Sequence, residues 1–185
     1  MKQTVDIIRS VRRTISIEIT DTGSILVRAP LTARDQEIRT FLERKKEWIL
    51  KHQAKMQDHV KQAEQIGRFT DAEKKEMRAL AERIIPERVF YFAGLMNVQP
   101  NKIGFRFQKT KWGSCTSQKH ITFNCLLVKA PPYVLDYVVV HELCHIKQMN
   151  HSAKFYALLA SVLPDYKQAE KWLKTEGQVL MIQSK

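Results

Sequence analysis

The chain has 185 residues, 44% hydrophobic and 27% charged, with a formal net charge of +12. That balance excludes intrinsic disorder, and no apolar run approaches the ~20 residues of a bilayer-spanning helix. Three cysteines are too few and too odd in number for a disulfide scaffold, and residues 1–13 hold no apolar stretch of signal-peptide length; a soluble cytoplasmic protein with an anionic partner is expected.

Strict polar–apolar alternation over Thr14 to Thr20 predicts a strand, and Asp21-Thr22-Gly23-Ser24 supplies a turn back into a second strand over Ile25 to Ala29. Val5 to Ile8 is a candidate third strand. Beyond Pro30, Thr32 is the expected N-cap of a helix carrying Ile38, Phe41, Leu42, Trp48 and Ile49, with His52 to Gln65 as its polar extension. Gly67 and Phe69 mark a break. Thr70 and Glu73 then have capping-box spacing, opening a helix that Pro86 should kink or divide and Gly94 should end.

Strands are predicted over Ile103 to Phe107 and Ile121 to Val128, with Lys111-Trp112-Gly113-Ser114-Cys115 between them. Pro131 and Pro132 suit the start of a helix that is apolar almost all round from Val134 to Ile146, hence buried. Ser152 and Asp165 are expected caps of two last helices, through Leu163 and Thr175. From Arg88 to Tyr133 no acidic residue occurs, while Lys102, Arg106, Lys109, Lys111, Lys119 and Lys129 do. Lys109, Lys111 and Lys119 are candidate anion contacts beside a cleft that the two strands should flank, suited to a nucleotide or a nucleic acid.

His141-Glu142-Leu143-Cys144-His145 is an H-E-x-x-H motif. On a helix its two imidazoles lie on one face, about 6 Å apart along the axis, and can chelate one ion. Glu142 projects beside them, placed to take a proton from water at that ion. A third ligand is needed, and His151 lies six residues after His145. Ten residues of unbroken helix would carry it about 15 Å from His141. The helix must therefore end and the chain turn back, for which Asn150 in a left-handed conformation and Ser152 as a new cap are suited. Cys115 is a possible further donor, whereas Cys144 lies on another helical face and is assigned to the core. Tyr133, Tyr156 and His120 are unranked candidates for stabilising an oxyanion.

The Lys111–Cys115 segment, the Ile121–Leu126 strand, the run Tyr137 to His145 and Asn150-His151-Ser152 together resemble the YgjP-like (DUF45) metallopeptidases, relatives of the SprT-like and WLM peptidases. Arg9 to Ile19 is similar to the opening strands of that family. The resemblance implies one α+β domain over 1–185, with an N-terminal hairpin and long helices over 1–95 and a zinc-binding part over 96–185. It also implies a zincin-like fold in which a small sheet packs on the central motif helix. One zinc ion would be held by His141, His145 and His151, with Glu142 as general base. Two departures stand out: Ser117 to His120 lacks a glycine, and the connection into Ile103 is short. Metzincin spacing is also matched, but Gln148 replaces their glycine. Hydrolysis of a peptide or protein leads the readings, with β-strand addition to Ile121–Leu126. The alternatives are a nucleoside triphosphate pyrophosphohydrolase, an activity attributed to some of the family, and a nucleic-acid-associated zinc module.

Overall fold

Ile25, Val27 and Ala29 are buried on one face of a strand, alternating with Leu26 and Arg28, and this strand centres a three-stranded sheet. The structure, a computed structural model, describes residues 5–20 and 22–185. In that sheet β3 (Ile25–Pro30) pairs in parallel with β1 (Val5–Ser10) and antiparallel with β2 (Ser16–Ile19). The hairpin turn closes through Gly23 N–H to the Thr20 carbonyl at 2.9 Å, with Gly23 at φ 78°, where a side chain would be strained. Asp21 of the expected turn lies outside the described residues.

Helices α1 (Asp35–Arg44) and α2 (Lys46–Ile66) come next, and Ile38 and Ile49 cover the sheet's buried face. The cap is Arg34 and not Thr32: its backbone N–H donates to Glu37 at 2.9 Å, an acid placed three residues on. The expected single helix is interrupted at Lys45, whose backbone leaves the helical region.

The described residues divide into two compact units, one ending at Ile66 and one beginning at Gly67. In the second unit α3 (Asp71–Met96) packs with the strands and helices C-terminal to it. Thr70 and Glu73 form the expected capping box. Pro86 does not divide the helix. Ala81, Ile85, Val89 and Ala93 recur every four residues and are buried, and this burial offsets the backbone hydrogen bond that Pro86 lacks. The end comes at left-handed Asn97 (φ 48°), with Val98 N–H donating to the Ala93 carbonyl at 3.0 Å; Gly94 stays helical.

The second sheet has the order β4 (Lys102–Arg106), β6 (His120–Asn124), β5 (Gly113–Cys115). The run expected as a strand to Val128 stops at Asn124, whose Oδ1 accepts from Leu126 N–H at 3.1 Å and starts a 3-10 turn, Cys125–Lys129. Within the 111–115 segment, for which no strand was expected, Gly113–Cys115 forms edge strand β5. The β5–β6 turn uses Lys119 at φ 60° in place of the missing glycine.

Helix α4 (Pro132–Lys147) is buried on nearly every side, so Val138, Val139 and Val140 are helical despite poor propensity. Asp136, the one charge in its apolar run, takes a two-pronged ion pair from Arg88 of α3 at 2.7 and 2.8 Å. Arg88 is thus neutralised within the fold. Helices α5 (Ala153–Val162), α6 (Tyr166–Leu173) and α7 (Glu176–Gln183) complete the unit. The last was not anticipated; Gly177 lies against Trp112 and Trp172, where an added Cβ would sit 3.0 Å from the Trp112 ring. No helix among the described residues is long and apolar enough to cross a membrane.

Candidate metal centre

Helix α4 ends one residue before Gln148, and α5 begins two residues after His151. The five-residue connection returns the chain, so His151 meets His141 and His145 as the spacing argument required. The route differs in one detail. Asn150 is not left-handed; among described non-glycine residues only Asn97 and Lys119 are. The turn is instead held by His145, whose Nδ1–H donates to the Gln148 carbonyl at 3.1 Å.

The three histidines offer nitrogens all within 4.8 Å of one another. Nε2 of His141 and Nε2 of His151 are 3.0 Å apart, close to the ~3.3 Å between two nitrogens bound to one tetrahedral zinc ion. Phe155, fully buried in the first turn of α5, lies under all three rings with centroids 4.8 to 4.9 Å away. It was missed from sequence, although four-residue spacing from His151 puts it on the facing turn. Burial lowers the His141 pKa to about 4, assisted by the neighbouring His145 and His151. The imidazole is therefore neutral near pH 7, the form that binds a metal.

Glu142 is buried, and its Oε2 has no hydrogen-bond partner among the described residues. Burial raises its pKa to about 8, with Lys111 pulling the other way. An isolated buried carboxylate is costly unless a cation or a proton donor faces it. A metal ion and its water at the histidine cluster would supply both. Gly113 forms the opposite wall: a Cβ there would lie 2.6 Å from Glu142 Oε1. The bare backbone of β5 thus makes room for the carboxylate. Asn124, wholly buried, holds this wall by donating from Nδ2 to the Gln108 and Lys111 carbonyls, both at 2.9 Å, while its N–H donates to the Trp112 carbonyl at 2.8 Å. Sequence pattern offered no signal for these pairings across the chain.

The remaining candidates separate. Cys144 is in the core, and Cys115 is not part of the donor cluster among the described residues; burial and then Glu142 push its thiol up to about 11. Lys109, Lys111 and Lys119 are all exposed, and Lys111 is the one tied electrostatically to Glu142. Lys119 sits in the β5–β6 turn with His120, whose N–H donates to Thr116 Oγ1. Tyr156 stands beside His151, ring centroids 6.2 Å apart, whereas Tyr133 is exposed at the far end of α4, about 12 Å along the axis from His141. The strand expected to receive a peptide, β6, is paired on both sides; the free edge nearest Glu142 is that of β5.

A family model described as YgjP-like, metallopeptidase domain, matches residues 13–75 and 70–176. The UTP pyrophosphatase of Escherichia coli strain K12 is 30% identical over 77 residues, which are 40% of this chain and 46% of that protein. The chain therefore spans less than half the length of that curated relative. Among solved structures, the metallopeptidase zymogen abylysin of Pyrococcus abyssi is similar at 21% identity and TM-score 0.48, covering 51% of this chain and 96% of that one. The zymogen of Methanocaldococcus jannaschii jannalysin is similar at 24% identity and TM-score 0.44, covering 49% and 94%.

Proposed function

The chain belongs to the YgjP-like metallopeptidase family, and from that premise we propose that it is a zinc-dependent hydrolase of peptide bonds. His141, His145 and His151 are the ligands in this reading, and Glu142 is the general base. The observation that carries it is the convergence of three imidazole nitrogens beside a buried carboxylate whose Oε2 has no partner among the described residues. Three protein ligands with a fourth position left for water are the pattern of a catalytic zinc site.

Bound zinc would supply Lewis acidity to the scissile carbonyl and to water. Glu142 takes the proton of the attacking water and passes it to the departing amine, a task open to a buried carboxylate beside the histidine cluster. An extended peptide pairs with the free edge of β5, which sets its carbonyl against Glu142. In this reading Tyr156, whose ring lies beside that of His151, donates to the developing oxyanion.

Metal analysis and peptide hydrolysis test this together. Wild type should hold one zinc per chain. Glu142→Gln should keep the zinc and lose turnover by at least about 100-fold, because an amide cannot act as base. His151→Ala should lose most of the metal. Full turnover by Glu142→Gln would refute the mechanism. A second reading, hydrolysis of a nucleoside triphosphate, is favoured by the likeness to UTP pyrophosphatase and by the charge of Lys111 beside Glu142. Pyrophosphate release from UTP that needs both residues, without peptide cleavage, would select it.

A further inference from the structure

We propose that Tyr137 and Glu170 are positioning residues that orient His141 for metal binding, making α6 part of the metal site's support. The inference rests on the zinc reading above and deepens it. His141 presents Nε2 towards His151, so its Nδ1 faces away from the cluster. Tyr137 lies one turn earlier on α4, and its hydroxyl stands 3.4 Å from that Nδ1 and 3.3 Å from Oε1 of Glu170 on α6.

The order of donors is set by which groups can give a proton. The Tyr137 hydroxyl donates to Glu170 Oε1, so its proton points that way. The phenol oxygen is then left as acceptor, and His141 Nδ1 must be the donor. That tautomer leaves Nε2 unprotonated, with its lone pair directed at the place where the three histidines converge. The reverse order would set two acceptors against each other across a buried hydroxyl.

Packing fixes the same group. Tyr137 is buried, and its ring lies parallel to that of Tyr166, centroids 6.4 Å apart with 9° between planes. Glu170 is held from its other oxygen by Lys174 at 3.8 Å. His145 needs no such device, since a backbone carbonyl at Gln148 takes its Nδ1 proton. His141 therefore depends on side chains 4 and 29 positions away in the chain.

The test measures zinc affinity of the full chain by competition with a chromophoric chelator, alongside urea unfolding of the metal-free protein and the visible spectrum of the cobalt-substituted form. Tyr137→Phe removes one oxygen and should weaken zinc about 10- to 100-fold, as should Glu170→Ala. The double variant should be no weaker than the worse single one, because the two act in series. Glu170→Gln keeps an acceptor in place and should recover most of the affinity. Cobalt bands should shift in the two weakening variants and not in Lys174→Ala, which leaves the relay intact. Wild-type zinc affinity in folded Tyr137→Phe overturns the relay while leaving the zinc site standing. If Tyr137→Phe fails to fold, the part-exposed Glu170→Ala decides alone, and unchanged affinity there overturns it. A wild type that takes up no zinc overturns both readings.

Discussion

The two three-stranded sheets share one wiring and differ in what covers them. In each, the first and third strands run parallel and the second returns as a hairpin against the third. In the first sheet every residue of β1 is exposed, and the buried face of β3 clusters with Ile38 and Ile49, with Ala33 and Leu42 partly buried against them. In the second, Ile121, Phe123 and Asn124 of β6 are wholly covered, and the edge strand β5 approaches a buried carboxylate on α4. Equal topology therefore says little about chemistry. What distinguishes the second sheet is that it brings a bare glycine against a buried carboxylate whose Oε2 has no partner among the described residues, next to a cluster of three histidines.

The sharpest way to break this contrast is to remove one buried side chain from the centre of each sheet. Phe123→Ala should cost about 3–5 kcal/mol in the second unit and abolish zinc binding with the fold. Val27→Ala should cost about 2 kcal/mol and leave zinc affinity of the folded protein unchanged. Denaturant unfolding with zinc titration reads both, and loss of zinc affinity in folded Val27→Ala would defeat the distinction.

A comparison within the second sheet isolates the wall of the site. Gly113→Ala puts a methyl group 2.6 to 2.9 Å from three atoms of Glu142, so the carboxylate must move. Turnover should fall about 100-fold with zinc content retained. Gly104→Ala meets nothing nearer than Thr122 Oγ1 at 3.6 Å and should change turnover less than about twofold. Equal turnover in the two variants would remove Gly113 from any role in placing the base.

Burial of Glu142 should also be visible as pH-dependent stability of the metal-free chain. Its folded pKa is raised from 4.5 to about 8, so the folded state binds the proton more tightly than the unfolded state. Stability must then fall as pH rises from about 4.5 to 8. His141 acts oppositely: with its pKa lowered to about 4, stability rises with pH up to about 6.5 and is flat above. Above pH 6.5 the His141 contribution is flat while that of Glu142 still falls. Metal-free Glu142→Gln should therefore gain roughly 2 kcal/mol on wild type between about pH 6.5 and 9. Parallel stability curves for the two proteins would show that Glu142 is not buried in isolation.

The clustering of His141, His145 and His151 beside Glu142 was legible because i, i+4 spacing puts two of the histidines on one helix face, and a turn after His145 brings the third to them. The strands and most helices were legible for the same reason: alternation and capping are written within a few residues. What failed depended on partners far along the chain. Strand propensity continued through Leu126 to Val128, but the Asn124 side chain caps a turn there and clamps the loop before Gly113. Pro86 reads as a breaker, yet the buried face on either side of it keeps the helix whole. Gly113, Asn124 and Tyr137 lie in the segments that carry the resemblance, but no local pattern gives their partners, since each acts only through a residue brought to it by the fold.

The smallest effect concerns the two hairpin turns. The first sheet places Gly23 at φ 78°, while the second places Lys119 at φ 60°, a conformation that costs a side-chain-bearing residue about 1–2 kcal/mol. The turn is held by Lys119 N–H to the Thr116 carbonyl at 2.9 Å and by the Lys119 carbonyl accepting from Asn101 N–H, also at 2.9 Å. Neither bond uses the lysine side chain, which is exposed. Lys119→Gly should therefore relieve the strain, partly offset by the greater freedom of glycine in the unfolded chain, for a net gain of about 0.5 kcal/mol. The same substitution at Lys109 should give no gain, because its backbone is not left-handed. Chemical denaturation of the two variants checks the difference. A less stable Lys119→Gly protein would mean that the ammonium group contributes more than the backbone strain costs, and would return Lys119 to the set of side chains that meet an anion.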